Sequence, residues 1–160
     1  FEYALAGLMI SEGMVEEGLS IVRGVRSRYN GKNRNPWNEI ECGSNYARSM
    51  ASFALIPILS GFSFDMPNKT IGFDPVENRL PFKSIWSLGC GWGTFEKQKD
   101  TTKITICGGC LTANCIRLPY IRRVNSVKVD GHEMTFTFED GLLTLSSASA
   151  FKDIIVEQEI

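Results

Sequence analysis

At 160 residues and 43% hydrophobic content, the chain has enough apolar material to bury one ordinary domain or two small halves, which excludes a disordered polymer. A formal net charge of -1 provides no basic field for a phosphate backbone and no polybasic patch for an anionic membrane, so nucleic acid is not an expected partner. Glu2, Glu12, Glu16 and Glu17 interrupt the first hydrophobic stretch before it could cross a bilayer, and no membrane span is expected.

From Phe1 to about Tyr29 the apolar residues Leu5, Leu8, Met9, Val15, Leu19, Ile21, Val22 and Val25 recur at helical spacing, with acids early and bases late. Gly13 and Gly18 weaken the middle, so two helical pieces joined near Gly13 are expected. The chain starts as helix interior at Phe1-Glu2-Tyr3-Ala4 with no cap before it, from which we expect a further segment upstream. A polar turn-rich run, Asn30 to Pro36, separates this from a second helix over about 45–60, nearly apolar on all sides, which Pro57 kinks or ends and Gly61 closes. Two helices of this apolarity cannot cover each other, so residues 1–61 read as the last members of a larger helical array.

Residues 62–81 lose periodicity and carry Pro67, Gly72, Pro75 and Pro81, which predicts a segment crossing the surface. After Pro81 the period becomes that of strands. They are expected at 82–86, 92–96, 103–107, 111–116, 126–129, 133–138, 142–145 and 153–157, with hairpin turns at Asp130-Gly131 and Asp140-Gly141. Residues 82–160 are thus predicted to form an antiparallel sheet or small sandwich, and the whole is an α+β chain, helices followed by strands.

Five cysteines at irregular spacing, Cys42, Cys90, Cys107, Cys110 and Cys115, do not read as a disulfide framework, so a reducing, cytoplasmic location is expected. Cys107-Gly108-Gly109-Cys110 lacks a second pair or a nearby histidine, and small residues at a strand bend are the simpler reading than a metal or redox centre. Gly89-Cys90-Gly91-Trp92-Gly93 leads into a strand, not a helix, which rejects a dinucleotide site. His132 is the single histidine, so no Ser-His-Asp or Cys-His arrangement can be drawn. No cofactor, metal or catalytic residue is assigned within the chain.

The chemistry concentrates between Asn35 and Arg48, where carboxylates, amides, an indole and a guanidinium share one bent connection and helix start. Ser44 reads as an N-cap, which leaves Arg48 about one turn in, where a cation opposes the helix dipole. Glu39 or Glu41 can compensate it, either as a plain salt bridge or while sharing donors and acceptors with a polyol ligand. Asn38 and Trp37 complete the candidate binding set.

Glu2-Tyr3-Ala4, Met9-Ile10-Ser11-Glu12-Gly13-Met14, Asn35-Pro36-Trp37-Asn38-Glu39 and Tyr46-Ala47-Arg48-Ser49-Met50 resemble the end of the catalytic domain of glycoside hydrolase family 116, which includes β-glucosidases of the non-lysosomal glucosylceramidase type. Residues 82–96 and the strands beyond resemble the tail of bacterial members. The resemblance implies terminal helices of an (α/α)6 barrel, retaining hydrolysis of β-glycosides, and catalytic carboxylates that match no position here and would lie upstream. It also implies that Glu39 and Arg48 contact the hydroxyls of the glycone sugar, with a β-glycoside and the upstream part of the catalytic domain as partners. Ala54 stands where glucosylceramidase-type members have a second arginine, so the aglycone or sugar preference is expected to differ. The alternative, from a different class, is a noncatalytic carbohydrate-binding or assembly module.

Overall fold

The computed structural model describes residues 1–35, 48–77 and 79–160. They divide into two compact units, Phe1–Leu59 and Ser60–Ile160. Among the described residues no helix is long and apolar enough to cross a membrane.

In the first unit, α1 (Glu2–Ser11) and α2 (Val15–Arg28) form a helical hairpin. The break falls at Gly13, whose φ of 84° is open to glycine and strained for other residues. Gly18 has a different task within α2. A Cβ there would stand 2.7 Å from the Ala6 carbonyl oxygen and 2.6 Å from Ile10, so its absence lets the two helices close. Arg28 pairs with Glu2 across the open end of the hairpin. A 3-10 helix, Arg48–Ala54, leads into α3 (Leu55–Ser60). Pro57 is the third residue of α3, within its first turn. Leu55 joins Ala6 and Ile10 in a small buried core, and Ile58 Cδ1 lies against the bare Gly7 backbone.

The second unit is built from eleven strands in two sheets: β1 (Ser63–Asp65), β2 (Thr70–Gly72), β3 (Phe82–Leu88), β4 (Gly91–Lys97), β5 (Thr101–Gly109), β6 (Thr112–Arg117), β7 (Arg123–Val129), β8 (His132–Glu133), β9 (Phe136–Glu139), β10 (Leu142–Ala150) and β11 (Asp153–Glu159). One sheet has the order β1-β2-β6-β10-β9 and the other β3-β4-β5-β11-β7-β8. Every pairing is antiparallel except β2 with β6. Ile71, Ile116 and Leu143 from the first sheet meet Phe95, Ile104, Val127 and Ile154 from the second in a single buried core, so the sheets face each other as a sandwich. Asp130-Gly131 and Asp140-Gly141 both hold two successive positive φ angles, which suits the right-handed twist of their hairpins. Asp130 Oδ1 also accepts backbone N–H groups of Lys152 (2.7 Å) and Asp153 (2.9 Å), latching this turn to β11.

These observations correct the expected fold class. The chain is β-rich, with three short α-helices among the described residues, and it does not present the terminal helices of an (α/α)6 barrel. Of the run over about 45–60 read as one α-helix, the described residues form a 3-10 helix, Arg48–Ala54, followed by six α-helical residues. In its first part Met50, Ala51, Phe53 and Ala54 are exposed, so no buried face holds a longer α-helix there. The stretch expected to cross the surface holds β1 and β2, because Ile71 enters the sandwich core.

Candidate functional site

Of the residues that sequence reasoning assigned to sugar binding, Trp37, Asn38, Glu39 and Glu41 lie outside the described residues, and for Arg48 only the backbone is described. Arg48 opens the 3-10 helix, seven residues before Leu55 and ten before Ile58. The backbone that carries the guanidinium therefore runs directly into an element seated on α1.

The second unit has two chemically distinct ends, both organised by β4. Alternation along this strand points Gly91, Gly93, Phe95 and Lys97 inward. Gly93 receives the Trp86 ring, whose indole N–H donates to the Thr94 carbonyl at 3.3 Å. Trp86 is 2% exposed and belongs to the core, whereas Trp92, 52% exposed, lies on the outer side over Gly108.

The inward row ends on an ammonium. Lys97 is only 2% exposed, and its Nζ stands 4.1 Å from the centroid of the Tyr120 ring. A cation over an aromatic face is worth more when water is excluded, up to about 2 kcal/mol. Tyr120 hydroxyl and Thr102 Oγ1 share a hydrogen bond of 2.7 Å, and Thr102 pairs with Lys97 across the β4–β5 ladder. Gln158 of β11 donates through Nε2 to the Gln98 carbonyl at 3.3 Å, while its Oε1 is buried without a partner. Burial pushes the Lys97 ammonium below the ordinary lysine range, against the pull of Asp74. Burial likewise pushes the Tyr120 phenol above its ordinary range, opposed by the Thr102 hydrogen bond and aided by Asp74.

The signs of these two shifts oppose one another. The unfolded chain holds the Lys97 proton at pH values where the folded chain has released it, so stability rises with pH toward about 10.4. Above about pH 10 the unfolded chain loses the Tyr120 proton first, and stability falls. Tyr120→Phe should therefore make the alkaline loss shallower. At pH 7 it should cost about 1–3 kcal/mol in urea denaturation, since the buried Thr102 hydroxyl loses its partner.

At the opposite end of the β4–β5 pair, Phe64, Met66, Leu88, Cys90, Cys110 and Thr112 line an open groove of about 790 Å³. Cys90, Cys107, Cys110 and Cys115 are free thiols, and His132 stands on the short strand β8, exposed and away from any ligand set. Among the described residues no three His, Cys, Asp or Glu side chains converge as a metal site.

Sequence reasoning missed both ends. Lys97 was accessible to it, since continuing the alternation of Gly93 and Phe95 by two residues turns the lysine inward. The meeting of residues 90 and 110 depends on strand register and had no local signal. No protein-family model matches the chain, and no curated protein matches it.

Proposed function

We propose that the chain is part of a retaining β-glycosidase of β-glucosidase type, and that Glu39 and Arg48 hold the glycone by charge-assisted hydrogen bonds. The observation that carries this reading is the nine-residue spacing of Glu39 and Arg48 inside Asn35-Pro36-Trp37-Asn38-Glu39 and Tyr46-Ala47-Arg48-Ser49-Met50. What supports it further is the anchoring of the backbone after Arg48. A 3-10 segment that runs into Leu55 and Ile58, both seated on α1, keeps the guanidinium's attachment point from drifting, as a positioning group requires. Asn38, Trp37 and Glu41 line or support the same site. Its catalytic carboxylates come from outside these 160 residues.

Arg48→Ala in the full-length gene product should lower kcat/KM for a p-nitrophenyl β-glucoside by about 100-fold or more, the order expected when a charged donor to substrate is lost. Arg26→Ala, on the exposed face of α2, should leave turnover within about twofold. Unchanged kinetics in the Arg48 variant would remove it from the site. Glucoside binding with no turnover by the full-length product would favour a noncatalytic carbohydrate-binding module instead.

A further inference from the structure

Cys90 and Cys110 are twenty positions apart in sequence, and the β4–β5 ladder brings them together. Gly91 pairs with Gly109 at the end of the ladder, and just beyond it the Cys110 N–H donates to the Cys90 carbonyl at 2.9 Å. Residues joined by such a bond across neighbouring strands have Cα atoms about 5.5 Å apart. A disulfide spans about 4.4–6.8 Å between Cα atoms. Cys90 lies in the turn before β4 and Cys110 directly follows β5, and both cysteines line the same groove. Gly109, at φ 77°, permits this approach: a Cβ there would stand 2.3 Å from the Cys90 carbonyl oxygen.

The other described thiols are excluded from this arrangement by register. Trp92 pairs with Gly108 and Gly93 with Ile106, which leaves Cys107 as the extra residue of a bulge. Cys115 belongs to β6 in the other sheet, where its sulfur is 4.0 Å from Thr144 Oγ1. The Cys107-x-x-Cys110 spacing is therefore not the functional pair.

We propose that Cys90 and Cys110 form a reversible disulfide at the rim of the groove, with a small-molecule disulfide such as oxidised glutathione as the oxidant. One cysteine thiolate attacks a glutathione sulfur, and a glutathione thiolate leaves with the electron pair of the broken S–S bond. The second cysteine thiolate attacks the protein sulfur of the mixed disulfide and expels the second glutathione thiolate. Two electrons pass from the protein to glutathione, and the two thiol protons end on the two reduced glutathione molecules. Both cysteine residues are exposed, as this exchange requires. The pair uses neither Glu39 nor Arg48.

The test is peptide mapping of the full-length gene product after incubation with oxidised glutathione, blocking of residual thiols and trypsin digestion. Peptides 84–97 and 104–117 should appear linked, two hydrogens lighter than their sum, and dithiothreitol should separate them. The link should persist in a Cys107→Ser/Cys115→Ser double variant and vanish in Cys90→Ser and in Cys110→Ser, with the circular dichroism of every variant unchanged. Glutathione left on Cys90 or Cys110 as an unresolved mixed disulfide, absence of any link, or a link surviving in Cys110→Ser would overturn the proposal. Should a serine variant lose its fold, the reagent-treated double variant decides by itself, because Cys90 and Cys110 are then the only described thiols able to join these peptides.

Discussion

Phe95→Ala is expected to cost the sandwich about 3–5 kcal/mol, the range for removing a buried phenylalanine ring whose site cannot collapse. Phe95 is fully buried on the inner face of β4 and stacks on Phe73 with ring centroids 4.1 Å apart and planes 9° from parallel. Phe82 leans against it at 6.3 Å, and the same cluster holds Ile104 and Ile154 from the neighbouring strands. These neighbours belong to paired strands, whose hydrogen-bonded ladders resist moving into the void. Losing the stacked partner removes about 0.5–1.5 kcal/mol beyond the buried area. A stability of about 5–15 kcal/mol is usual for a domain, so the variant should retain a fold with a greatly lowered urea midpoint. Phe95→Leu should fall between the two. A midpoint in Phe95→Ala close to that of the parent would mean that the two sheets do not share this core.

Gly93→Ala should be as damaging, for the opposite reason. Its added Cβ would lie 1.8 Å from the Thr105 carbonyl oxygen and 2.9 Å from the Trp86 ring. Overpacking ordinarily costs about 1–3 kcal/mol, with the lower values where flexible side chains give way. Here the obstacle is the backbone of a paired strand at a register shift between Trp92 and Gly93, which cannot move without breaking ladder hydrogen bonds on both sides. We expect a loss of about 3 kcal/mol or more, read by urea denaturation. Gly89→Ala serves as the control, because no atom lies within 4 Å of a Cβ added there. Equal stability of the two variants would contradict the close approach of β4 and β5.

The two predictions draw on features that the sequence makes visible to different degrees. Asp130-Gly131 and Asp140-Gly141 are readable because the turn type follows from two adjacent residues that tolerate positive φ. The break at Gly13 is readable for the same local reason. The parallel pairing of β2 with β6 is not, since it joins Thr70 to Cys115 across 45 positions and no local preference encodes it. Nor does periodicity distinguish a 3-10 segment from an α-helix within Arg48–Ala54, where seven residues of mixed polarity are too few to fix the period. The barrel expectation rested on resemblance in the first 61 residues, yet most of the described residues belong to a sandwich built by long-range register. At the candidate sites the contrast repeats. Glu39 and Arg48 stand out by residue type and spacing, whereas the Lys97–Tyr120 contact and the Cys90–Cys110 pair exist only after strands are brought together.

The central claim is that one acid and one base, nine positions apart, grasp the same pyranose ring. A crystal structure of the full-length gene product soaked with glucose tests it most directly. The Glu39 carboxylate and the Arg48 guanidinium should each lie within about 3.2 Å of hydroxyls on one sugar. A glucose bound elsewhere, or these two side chains directed apart with no sugar-sized cavity between them, would contradict it.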